Sequence, residues 1–146
     1  MEAIVFPKSF DEIQKPVIAE AGTYELTLAK AYLKDNKNKN GKNLVLELVI
    51  SGEGGPPDGV GLTEYLPLPN KDDADKKTRQ GQSMTDWKMS NIKKYVEALG
   101  GECLGNGIEG LAPGCQCTAK IGKTSNDNGD EYNQIDGPLM SMTQAS

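Results

Sequence analysis

The chain has no histidine and one arginine, and aromatic residues fill only 5% of its 146 positions. Each scarcity removes a class of function. Without imidazole the commonest general base is missing, and so is every Ser-His or Cys-His nucleophile pair. The protein is therefore not expected to be an enzyme. Its three cysteines, Cys103, Cys115 and Cys117, are an odd number with no secretory signal, so reduced thiols are expected rather than a disulfide framework. A zinc site would need all three thiolates plus a carboxylate or water, and the Cys-x-Cys pair lacks the usual spacing. The acids of "DNGDE" also miss the spacing of a calcium loop. No metal and no cofactor is expected. No run of about eighteen apolar residues occurs, and "MEAIVFPKSFDEIQKP" lacks the basic start and apolar centre of a signal peptide. These features predict a soluble, cytoplasmic protein with no membrane partner.

What is present is a series of short apolar alternations, and the length suits one domain. In "GTYELTLAKAYL", residues 22 to 33, Tyr24, Leu26 and Leu28 alternate with Thr23, Glu25 and Thr27, the period of a half-buried strand. "NLVLELVIS" repeats the pattern, with Leu44, Leu46, Leu48 and Ile50 on one face and Val45, Glu47 and Val49 on the other. The two strands form a hairpin whose tip, Lys34 to Lys42, is too polar to pack. "GEGGPPDGVG" breaks the sheet, and Val60 to Leu68 reads as a third strand stopped by Pro67 and Pro69. "NKDDADKKTRQGQS" is charged and nearly without apolar residues, which predicts a loosely ordered surface segment and no part of the core. Ser83 with Asp86 resembles a capping pair. Beyond it Met84, Trp87, Ile92, Tyr95, Val96 and Leu99 recur at helical intervals until Gly100 and Gly101 end the helix. Trp87 is expected to plug the core from this helix, and Tyr24 and Tyr95 to pack. "GCQCTAKIG" and "DEYNQIDG", joined through Asn128-Gly129, complete the set as two closing strands.

Three strands, a helix and two strands leave exposed edges unless the sheet closes. The expected fold is all-β: a five-stranded, partly open OB-like barrel with one α-helix between strands 3 and 4, the small β-sandwich with a helix being the alternative. Residues 1–137 form the domain, with 1–20 as an N-terminal extension and 138–146 as an uncharged, flexible tail.

The order "AGTYELTLAKAYLK", "GKNLVLELVISG", "GLTEYLPL", "NIKKYVEALGG", "IEGLAPGCQCTAKIG" and "GDEYNQIDG" resembles a family of bacteriophage single-stranded DNA-binding proteins with an OB fold, over roughly residues 20 to 137. The resemblance implies sequence-independent coating of single strands during phage DNA replication or recombination, contact with replication or recombination proteins, and no catalysis. One feature departs from it. Such binders commonly end in an acidic tail that recruits partners, and "GPLMSMTQAS" carries no charge.

Charge distribution bears on the same question. The formal net charge is -5, yet residues 30 to 42 carry +4 and residues 71 to 97 carry +2. Lysines on a polar tip attract phosphates without reading bases. Lys30, Lys34, Lys37, Lys39 and Lys42 are therefore the first phosphate candidates, followed by Lys76, Lys77 and Arg79. Base stacking needs rings, and Tyr32, Tyr65 and Tyr132 are the candidate platforms. A solubilising tip would use the same lysines, and a pI near 4.8 is not the basic footprint usual for nucleic-acid binders. A phage structural or decoration protein, or a regulatory module that binds another protein along the edge of the second strand, remains the alternative. Oligomeric state is not legible.

Overall fold

The alternation that predicts the first hairpin forms it, with one irregularity that decides which side chains face out. The structure, a computed structural model, describes residues 3–13, 17–37 and 41–142. Strands β1 (Gly22–Asp35) and β2 (Lys42–Ser51) pair antiparallel, and β3 (Gly61–Pro67) adds to the other edge of β2. Helix α1 (Met84–Ala98) follows, then a small hairpin of β4 (Glu102–Leu104) and β5 (Gly107–Glu109). Strands β6 (Gln116–Ser125), β7 (Glu131–Ile135) and β8 (Met140–Ser141) close the chain. The main sheet runs β3-β2-β1-β6-β7, and β8 continues along β6 where β7 leaves off.

The sequence predicts five strands, and the described residues form eight, paired antiparallel, with one α-helix. The three extra strands have two or three residues each, too short for a period of two to register. Among the described residues no ladder closes the sheet, although β3 and β7 come within 8 Å of each other, Cα to Cα. The segment read as a flexible tail starts with Leu139 buried and with β8 paired to Cys117 and Thr118.

One face of the sheet is the core. Leu26 and Leu28 of β1, Leu44, Leu46, Leu48 and Ile50 of β2, Leu62 and Leu66 of β3, and Cys117, Ala119 and Ile121 of β6 meet Ile92, Val96 and Leu99 from the helix. Each large side chain withdrawn from water in this way contributes about 1.5–3 kcal/mol. Helix α1 starts where the capping pair predicts, with the Asp86 amide donating to the Ser83 hydroxyl at 3.0 Å, and ends at Gly100, whose φ of 87° suits glycine. It packs against β3, β4 and β8. Among the described residues, no helix is long and apolar enough to cross a membrane.

Two expectations are corrected. Trp87 does not plug the core: it is 45% exposed, because the buried stripe of α1 runs through Ile92 and Val96 on another side of the helix. The charged segment before α1 does contribute a buried group. Asp73 is 3% exposed, held by the Asn70 amide at 2.9 Å and by the Lys88 ammonium at 2.8 Å. The lysine beside Asp73 keeps its carboxyl below the ordinary carboxylate range.

Candidate nucleic-acid interface

A β-bulge builds the candidate surface. Up to Leu28 the even residues of β1 point into the core, and strict alternation would send Lys30, Tyr32 and Lys34 the same way. The pairing instead steps from Leu28↔Leu48 to Lys30↔Glu47, leaving Ala29 as an extra residue. Beyond it, Ala31 and Leu33 pair with core residues Leu46 and Leu44, while Lys30, Tyr32 and Lys34 turn to the outer face.

The register then sets out three rows of three across β1, β2 and β3. Lys30, Glu47 and Thr63 form the first, Tyr32, Val45 and Tyr65 the second, and Lys34, Asn43 and Pro67 the third. Val45 is completely buried, yet it lies outside the core cluster. The tyrosines on either side of it account for that burial, since directly opposed side chains on a sheet are in contact. Tyr65 stays 55% exposed and Tyr32 is half-buried, with the Lys30 ammonium 4.9 Å from its ring centroid. At one end of this surface Lys34, Lys37, Asn43 and Tyr65, with Asp35 and Asn36, enclose an open cavity of about 590 Å³.

The second cationic segment starts beside the tip. A Cβ on Gly41 would sit 3.3 Å from the side-chain nitrogens of both Asn36 and Asn70. The Leu68 amide also donates to the Lys42 carbonyl at 2.9 Å. From Asn70 the chain makes a capped 3-10 turn, Lys71–Asp73. It reaches α1 through Lys77, which is bridged to Ser83. The ion pair between Asp73 and Lys88 ties this loop to the helix.

The expected site residues therefore divide. Lys30, Tyr32, Lys34, Lys37 and Tyr65 share one surface. Lys42 is at its end, opposite Asp35, and by parity on the other face from Lys34. Lys39 lies outside the described residues. Lys76, Lys77 and Arg79 are exposed in the loop that begins next to the tip. Tyr132 joins neither row nor cavity: it sits exposed on β7, opposite Thr124 of β6. The edge of β2, the alternative protein-binding element, is occupied on both sides by β1 and β3.

Reading by sequence missed the half-buried carboxamide of Asn43 between Lys34 and Tyr65, and exposed Trp87, one turn into α1 from the cationic loop. The shift of apolar residues from even positions (Leu26, Leu28) to odd ones (Ala31, Leu33) was the available signal for the outward set. Ionisable groups elsewhere are packed away from this surface. Burial raises the Glu64 carboxyl on the inner face of β3, and burial together with that acid raises Tyr95. Burial pushes the Cys117 thiol up to about 12, which leaves it protonated and unreactive. Compared with protein-family models and with curated proteins, the chain matches none.

Proposed function

We propose that this protein binds single-stranded DNA without strong sequence preference through the outer face of β1, β2 and β3. The observation that carries the reading is the Tyr32–Val45–Tyr65 row, bordered by Lys30 on one side and by Lys34 and Lys37 on the other. Rings supported from beneath by a buried valine offer faces for bases, and every base has a face to stack. Ammonium groups along the row's borders pair with phosphates and release counterions, which adds affinity and no base preference.

The fold fits this proposal. We read the order β3-β2-β1-β6-β7, with a helix between β3 and β6 and a near approach of β3 to β7, as that of an open OB-like barrel to which β4–β5 and β8 are added. That fold uses its second and third strands and their neighbouring loops to hold oligonucleotides. The negative remainder of the chain repels DNA from other surfaces and favours this one. Alongside the resemblance to phage single-strand binders, we place the protein in the host cytoplasm during phage DNA replication or recombination, acting without catalysis and in contact with proteins of those processes.

Titration of a dye-labelled oligo-dT by fluorescence anisotropy at low and high salt tests the proposal. The expected result is binding that strengthens with oligomer length and weakens with salt. Absence of binding at low salt refutes it and returns the structural or decoration role to first place.

A further inference from the structure

Two uncovered apolar surfaces on this chain match each other. The first is the N-terminal arm. Ala19 is pinned to the body by Asn133, whose side chain accepts from its amide at 2.8 Å and donates to its carbonyl at 2.9 Å. Ahead of that anchor, residues 3–13 are exposed and make no hydrogen bond or ion pair to the rest of the described chain. Ile4 is 72% exposed, Phe6 53%, Phe10 70% and Ile13 60%. Phe6 and Phe10 already stack edge to face at 5.1 Å between centroids, above a short turn capped by Ser9. An apolar cluster this open marks a contact surface.

The second surface is a hollow of about 560 Å³ between α1 and the β4–β5 hairpin. Leu68, Ile92 and Cys103 lie in it, and half-exposed Met89 and Ile108 stand at its rim. Among the described residues Lys93 is its one charged lining residue, with an exposed contact of 3.7 Å to Glu97. The described arm carries one cation, Lys8, against two acids, Asp11 and Glu12, directly after Phe10, so its net negative charge complements Lys93 as its apolar character complements the hollow. Among the described residues of a single chain, none covers either surface.

We infer that the arm of one copy docks its Phe6–Phe10 knob into the α1/β4–β5 hollow of a second copy, with Asp11 and Glu12 facing Lys93. Arm and hollow are different surfaces, so the contact is head-to-tail and propagates into an open chain of copies. This self-association goes beyond the proposed DNA binding and needs no nucleic acid.

Sedimentation equilibrium of the full chain without DNA, over a wide concentration series, tests it. The expected result is a mass that climbs above the 15.7 kDa of one chain as concentration rises. Phe6→Ser with Phe10→Ser abolishes the rise, and so does Lys93→Glu, while circular dichroism stays unchanged because these side chains are exposed. Adding Asp11→Lys and Glu12→Lys to Lys93→Glu restores it. A monomer at every concentration overturns the inference, as does a rise that survives both the arm and the hollow substitutions. In a Cys103→Ser, Cys115→Ser background, isotopically light chains carrying Lys8→Cys mixed with heavy chains carrying Ile108→Cys should give mixed light-heavy products with a short bis-maleimide. If a chain carrying both cysteines cross-links within itself instead, the arm covers its own hollow and the inference fails.

Discussion

Replacing Lys34 and Lys37 together by alanine removes two cations that line the same cavity beside Tyr65. Each phosphate contact to a single strand contributes about 0.7 to the slope of log affinity against log salt. With Lys30, Lys34 and Lys37 engaged, the unmodified protein has a slope of about -2.1 and loses roughly 20-fold in affinity between about 50 and 200 mM salt. The double variant has a slope of about -0.7 and loses roughly threefold over the same range. A contact from Lys39 would steepen both lines equally and leave the difference of about 1.4 intact. Both side chains are exposed, so denaturant unfolding should be unchanged and any change in slope belongs to the interface. The assay is anisotropy of labelled oligo-dT at several salt concentrations. An unchanged slope, with measurable binding, would refute the placement of phosphates at the tip.

Three further outcomes are expected. Tyr65→Ala weakens binding by about 1–3 kcal/mol at every salt concentration without altering the slope, whereas Tyr132→Ala, outside the grid, leaves affinity unchanged in the same titration. Deleting Ala29 removes the bulge, returns Lys30, Tyr32 and Lys34 to the core side and takes Ala31 away from it, so the deletion variant should lose its cooperative thermal transition; a native-like melt would show that the bulge is dispensable. Asp73 has a depressed carboxyl pKa in the fold, so its pairing with Lys88 stabilises the protein fully above the ordinary value of 3.8 and less as pH falls below it. Asp73→Asn should therefore be less stable than the unmodified chain at neutral pH, with the gap narrowing as acid is added; a gap independent of pH would sink this assignment.

Much of the sheet was legible because period-two alternation is a local property. β1, β2 and β3 fall where Leu26, Leu28, Leu44, Leu46, Leu48 and Leu62 place them, and the Asn128-Gly129 turn joins β6 to β7, with Gly129 at φ 82°. The short β4, β5 and β8 were not legible, since two or three residues carry no period. Trp87 was misplaced for a related reason: helical spacing names a set of apolar residues, but the direction in which the helix docks selects which of them are buried. Asp73 was hidden in a charged run, where only its neighbours in space, Asn70 and Lys88, make burial tolerable.

The sequence by itself determined that positive charge collects at one hairpin tip and in the segment entering the helix, and that the chemistry of imidazole is absent. It also determined the inner faces of β2, of β3 and of β1 as far as Leu28, because alternating apolar residues have one way to leave water. The tertiary structure decided which tyrosines and lysines stand together. That depended on a single unpaired residue, Ala29, which reverses the facing of every side chain after it, and on strand pairing that brings Tyr32 and Tyr65 to either side of Val45 from positions far apart in the chain. Local pattern reports what each residue prefers, and only long-range pairing fixes what it touches.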